Sequence, residues 1–131
     1  EGYAGWLMGE AAATEAAPWL MSIDEDTVIP FVPNEAEVAE AEAALPAFIA
    51  GHPNATDRMN EELTTGFYER QYIGYATPDG VILVINAYCG EPFGDPSTDV
   101  EIVMDGGDCF WQAIYNLTDG EFTNLSVNGE A

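Results

Sequence analysis

QYIGYAT at 71–77, the turn Pro78-Asp79-Gly80, and VILVINAYC at 81–89 decide the reading of this chain. Two apolar runs rich in Val, Ile and Tyr, joined by a short turn, are the sequence signature of a β-hairpin. The pattern continues outward. VEIVM (100–104) is followed by Asp105-Gly106-Gly107-Asp108, then CFWQAIYNL (109–117), Thr118-Asp119-Gly120 and EFTNLSVN (121–128). Runs of this kind, bounded by D-G and G-G, predict an antiparallel meander of four to five strands. In VILVINAYC both faces are apolar until Asn86, which predicts a central strand with a helix on one side and an arm or loop on the other. In CFWQAIYNL, Cys109, Trp111, Ala113, Tyr115 and Leu117 share one face.

Upstream of the strands lie helices. Asn34 followed by Glu37 is a capping-box pattern, and Val38, Ala41, Leu45 and Phe48/Ile49 form one apolar stripe at helical spacing. Glu35, Glu40 and Glu42 are expected to face water. Pro46 is expected to kink this helix or to begin a separate last turn, and Gly51-His52-Pro53 ends it. A shorter helix is predicted from Asp57 to Thr65, capped by Thr56 and stopped by Gly66. Residues 1–33 are an irregular apolar and acidic arm, with a short helix around 7–17. Trp6, Leu7, Met8, Trp19, Leu20 and Met21 in that arm must be covered, either by the chain's own sheet or by another subunit. The expected architecture is therefore α+β: the arm (1–33), then one domain (34–131) with one or two helices on the meander.

Charge dominates the composition. Asp and Glu number 24 against two basic residues, Arg58 and Arg70, for a net charge of −22. A folded chain of this mass exposes roughly 6,700 Å², which puts net charges about 17 Å apart. The screening length is ~8 Å in physiological salt, ~30 Å at 0.01 M and ~3 Å at 1 M. Repulsion is therefore mild in ordinary salt and severe in dilute buffer. A halophile-like coat that keeps the protein soluble is the leading explanation, because a partner would demand acid on one face only. A basic target to be masked, or a calcium-loaded surface, are the other two. Binding to nucleic acid is excluded, since nothing is present to neutralise phosphates. No apolar stretch reaches the ~18 residues that span a bilayer. The sequence begins at Glu1, as expected of a processed mature or trimmed form.

Cys89 and Cys109 stand at the ends of nearby predicted strands, which predicts one disulfide and an oxidising compartment. Other chemistry is sparse. His52, the single histidine, is expected as an exposed residue in the last helical turn. Hydrolase, phosphate-loop and dinucleotide motifs are absent from the sequence. Among the acids only Glu101 invites scrutiny as a carboxylate site, and its expected place is an outward position on the VEIVM strand. Calcium is the alternative to an absence of cofactor. Asp95, Asp99, Asp105 and Asp108 lie in the loops flanking that strand, without the spacing of a calcium-binding loop. Asp105-Gly-Gly-Asp108 reads better as hairpin chemistry, its glycines supplying positive φ. Three N-x-[ST] sequons, at Asn54, Asn116 and Asn124, exceed the fewer than one expected by chance. They matter in a eukaryotic exported protein and mean nothing in a bacterial one.

Arg70-Gln71-Tyr72-Ile73-Gly74, Cys89, Asp105-Gly106-Gly107-Asp108-Cys109-Phe110 and Asn128-Gly129-Glu130-Ala131 together resemble an uncharacterised family of bacterial secreted proteins and lipoproteins. The resemblance covers under half of the chain. It implies export and a helix-on-curved-sheet fold of the cystatin kind, and no activity. The functional expectation is a non-enzymatic exported protein, secreted, periplasmic or on the cell surface, that binds a protein partner or takes its place in an assembly. Candidate contacts are Trp6 and Trp19 in the arm and Tyr72, Tyr88, Trp111 and Tyr115 on the sheet. The alternatives are an acidic inhibitor or immunity-type protein and an enzyme with a carboxylate site.

Overall fold

A computed structural model describes residues 4–17, 28–92, 94–103 and 106–128. The elements in order are β1 (Ala4–Leu7), α1 (Glu10–Ala16), β2 (Ile29–Phe31), α2 (Glu35–Gly51), α3 (Asp57–Glu62), β3 (Tyr68–Thr77), β4 (Gly80–Cys89), a 3-10 turn (Gly107–Cys109), β5 (Phe110–Asn116) and β6 (Glu121–Val127). The fold is α+β, with helices on a mostly antiparallel open sheet. Strands β3, β4, β5 and β6 form an antiparallel meander, and the first hairpin pairs Thr77 with Gly80 across its two-residue turn.

The arm contributes two strands that sequence periodicity does not show. β1 runs parallel to the first part of β3, aligning Gly5 with Arg70 and Leu7 with Tyr72. β2 runs antiparallel to the second part, aligning Phe31 with Gly74. Both glycines are demanded by close approach. A Cβ on Gly74 would sit 2.7 Å from the Phe31 ring, and one on Gly5 would sit 2.8 Å from the Arg70 carbonyl oxygen. The two sheet edges are blunted in different ways. β1 is only four residues long and β2 contains Pro30, while β6 has one extra residue, Thr123, between the Ile114–Asn124 and Tyr115–Phe122 pairs.

Helix α2 forms where the capping box places it. The Asn34 side chain accepts from the Glu37 N–H at 2.8 Å, and the Glu37 carboxylate accepts from the Asn34 N–H at 2.9 Å. Such a cap is worth about 1 kcal/mol against alanine. No separate last turn begins at Pro46; α2 is continuous through it. Pro46 lies on the exposed side of the helix, where water can satisfy the carbonyl that its missing N–H leaves free. Helix α3 is shorter than the spacing predicts and ends at Glu62, capped by Leu63, with Gly66 at φ 90° beyond it.

The sheet is covered on both sides. Val38, Ala41, Leu45 and Ile49 of α2 and Met59 of α3 pack on Tyr72, Leu83, Ile85, Trp111, Ala113 and Tyr115. On the opposite face Ala13 and Ala16 of α1, with Met8, pack on Ile73, Tyr75, Val84 and Ile114. The predicted VEIVM strand is not one: residues 101–103 have no regular structure. Residues 94–103 instead cross the α1 side of the sheet as a strap. The Glu101 N–H donates to Gln71 Oε1 at 2.8 Å, and Asn86 Nδ2 donates to the Glu101 carbonyl at 2.8 Å. Gln71 Nε2 donates to the carbonyls of Pro96 and Asp99 at 2.9 and 2.6 Å. A row of side-chain amides, Gln71–Asn86–Gln112, thus stands in for a ladder partner.

Candidate functional site

The aromatic residues expected at a contact surface are divided between the two faces and mostly enclosed. Tyr72, Trp111 and Tyr115 share one parity and lie beneath α2; all three are buried. Tyr88 pairs with Phe110 and so points to the opposite face, where it stacks on Trp6 at 6.5 Å. The expected aromatic surface is therefore corrected to core, because cross-strand register places three of the four rings under a helix and the fourth against the arm. Trp6 is half-buried in that stack. Trp19 lies outside the described residues, as does Asp105.

Most of the tyrosine hydroxyls serve as donors within the fold. Tyr72 donates to Glu42 at 2.6 Å, Tyr115 to Glu40 at 2.7 Å, Tyr88 to Glu69 at 2.9 Å, and Tyr75 to the Ala13 carbonyl at 2.6 Å. Burial, followed by the charge of Asp108, pushes Tyr68 up to about 12; burial, followed by the bond to Glu40, pushes Tyr115 to about 12. Burial also raises Tyr75 and Tyr88. These phenols stay neutral at ordinary pH and hold structure.

Glu40 is exposed as expected while accepting from Tyr115, whereas Glu42, also expected to face water, is turned towards the sheet. Glu42 also meets Arg70, whose Nε stands 2.9 Å from Glu42 Oε2. Arg70 is only 1 % exposed and donates to the carbonyls of Leu63 and Tyr68 at 2.7 and 3.1 Å. The second cation, Arg58, binds the Asp108 carboxylate, which also accepts from Thr56 Oγ1 at 2.6 Å. Partial burial pushes the Asp108 carboxyl up, but the Arg58 and Thr56 hydrogen bonds with the Arg58 charge bring it below its ordinary value. These contacts dock α3 onto the 3-10 turn beside the Cys89–Cys109 disulfide, which the structure contains.

Glu101 is a correction of another kind. It is buried rather than outward, with its carboxylate accepting from the Gly94 N–H at 3.2 Å. His52 is half-buried at the end of α2 and accepts from the Asn54 N–H through Nδ1 at 3.1 Å. Asp95 binds the Ser97 hydroxyl and N–H, which hold its carboxyl below the ordinary value. Among the described residues, no three His, Cys, Asp or Glu side chains gather as a metal site. Nor is any helix among them long and apolar enough to cross a membrane.

Two surface features remain. An open cleft of about 420 Å³ separates α1 from the strap, lined by Ala12, Glu15, Ala16, Thr98, Asp99, Val100 and Ile102. The other is the outer edge formed by β1 and β2. Leu7, Ile29 and Phe31 align with Tyr72, Ala76 and Gly74 and so point to the α2 side of the sheet. Leu7 and Ile29 are exposed by 40 and 70 %, and Val32, one residue beyond β2, by 50 %. This apolar row, interrupted by no charged residue within either strand, is the candidate contact surface. No aromatic or periodic signal marks it in the sequence. No family model, curated protein or solved structure matches this chain.

Proposed function

We propose that this protein is an exported, non-enzymatic assembly subunit that works in a salty medium and joins further copies of itself through the β1/β2 edge. The observation that carries this reading is the exposure of Leu7 and Ile29 on one side of the β1/β2 edge, with exposed Val32 just beyond β2, on a chain of net charge −22. Like-charged copies repel over ~30 Å at 0.01 M salt but over only ~3 Å at 1 M. Apolar contact is not screened, and it strengthens in salts that are excluded from protein surfaces. The disulfide, stable in oxidising compartments, supports the exported location. Native mass by light scattering should therefore rise between about 0.1 and 2 M NaCl. The Leu7→Ser/Ile29→Ser variant should stay monomeric throughout. A wild-type mass that is monomeric at every salt concentration would defeat the proposal.

The acidic coat gives a second expected result. The melting temperature should climb by several degrees from about 10 mM to 1 M NaCl, because screening relieves repulsion present only in the compact state. A flat or falling curve counts against salt adaptation. A masking protein for a basic target is the second reading. It is favoured by Arg70 being buried and Arg58 being bound to Asp108, which leaves the exterior with hardly any counter-charge. Its complex would weaken sharply as salt rises, opposite to the apolar contact.

A further inference from the structure

We propose that Asn54 and Asn124 carry N-linked glycans that guard the open edge of β6, which places the chain in an organism that modifies sequons and sets aside the bacterial source that the family resemblance implies. The inference goes beyond the assembly reading and shares only its exported location. The three sequons are Asn54-Ala55-Thr56, Asn116-Leu117-Thr118 and Asn124-Leu125-Ser126. Seven Asn and twelve Ser or Thr in 131 residues predict fewer than one by chance. The fold sorts the three. Asn54 and Asn124 are exposed, so a glycan on either projects into solvent. Asn116 is half-buried at the end of β5, where its Oδ1 accepts from the Asp119 N–H at 2.9 Å.

Both exposed acceptors lie along β6, Asn124 within the strand and Asn54 against its free edge. The Asn128 N–H donates to the Phe110 carbonyl at 3.0 Å. The pairs Ser126–Gln112 and Asn124–Ile114 continue the same alternation. Leu125 then turns its own N–H and C=O away from β5, onto the free edge. Asn54 Nδ2 reaches that Leu125 carbonyl at 3.4 Å, one residue from Asn124. This long bond uses one of two amide hydrogens and leaves the other for substitution. The edge also needs cover. β6 is seven residues long and its one charge is Glu121. Proteins commonly guard such edges with Lys, and this chain has none. The bulge at Thr123 protects part of the edge. Glycans at Asn54 and Asn124 would cover the rest and leave the β1/β2 edge free.

The reaction requires a glycan joined through its anomeric carbon to a polyisoprenoid phosphate or pyrophosphate, and a membrane transferase. The amide Nδ2 attacks the anomeric carbon as the bond from that carbon to the phosphate oxygen breaks. The lipid phosphate leaves with the electron pair, and the amide proton passes to a base, giving an N-glycosidic bond.

The test is mass spectrometry of the intact chain and of its Glu-specific protease fragments, on protein purified from the organism that makes it. The expected result is glycan mass on the fragments holding Asn54 and Asn124, with Asn116 bare. Asn54→Gln and Asn124→Gln, expressed in the same organism, should each remove one glycan from the intact mass. Unmodified Asn54 and Asn124 in the wild-type chain, or modification of Asn116 alone, would overturn the proposal. The wild-type measurement decides the matter even if a variant fails to accumulate.

Discussion

Replacing Arg70 with Met should cost about 3–5 kcal/mol of folding stability, read as a large fall in the urea midpoint. The guanidinium is 1 % exposed and bonds the carbonyls of Leu63 and Tyr68, while its Nε faces Glu42. Glu42 is itself mostly enclosed, with 8 % of its side chain exposed. Methionine fills most of the space but leaves the Glu42 carboxylate without its charge partner and two carbonyls without donors. A surface pair of the same chemistry would cost no more than about 1 kcal/mol, so a loss of that size would show the pair to be peripheral. The Arg70→Met/Glu42→Leu double variant separates charge from packing. With both charges gone it should recover about half of the loss, because the two orphaned carbonyls and the Tyr72 hydroxyl, which donates to Glu42, remain unpaired. If the double variant falls as far as the single one, Arg70 matters through its carbonyl bonds rather than through Glu42.

Legibility of the sequence followed the range over which each signal acts. The α2 cap needs only Asn34 and Glu37, three residues apart, and it forms as read. The hairpin at Pro78-Asp79 and the positive φ of Gly106 and Gly107 are equally local. The disulfide was legible from two cysteines at the ends of neighbouring strands. What failed depended on partners far along the chain. β1 and β2 are four and three residues long and exist because β3, more than 40 residues away, offers them an edge. At VEIVM Val100 and Ile102 do pack onto the sheet, but Glu101 between them is buried as well. Periodicity also does not report what bonds the backbone. There the bonds go to Gln71 and Asn86 rather than to a strand. The aromatic contact set failed on register. Tyr72 and Trp111 share parity through Ile85 and Ala87, while Tyr88 falls between them. Of the candidate surface, the sequence marks only Leu7 as a residue that needs cover. Ile29 and Val32 carry no pattern that would single them out.

Removing the disulfide, by reduction or as Cys89→Ala/Cys109→Ala, should cost on the order of 3 kcal/mol, the chain-entropy value for a loop of this size. The bridge joins residues 20 apart, at the end of β4 and at the end of the 3-10 turn just before β5. The closed loop contains the whole strap. Its effect should therefore be uneven across the molecule. In the oxidised protein the Gln71 and Asn86 amides hold a strap whose ends are already fixed, so little chain entropy opposes those bonds. Once the bridge is cut, the loop ends are held only by the neighbouring Tyr88–Phe110 pair, so the same bonds must order nearly twenty residues with less help. Amide hydrogen exchange should consequently quicken first at Glu101, whose N–H is bound by Gln71, and at Gly94, bound by the Glu101 carboxylate. Amides paired between β3 and β4 lie outside the loop and should keep protection up to global unfolding. If all amides quicken equally, the bridge acts only on the unfolded chain. If Glu101 stays as protected as the β3–β4 ladder, the side-chain amides alone hold the strap, and the disulfide contributes to stability without positioning it.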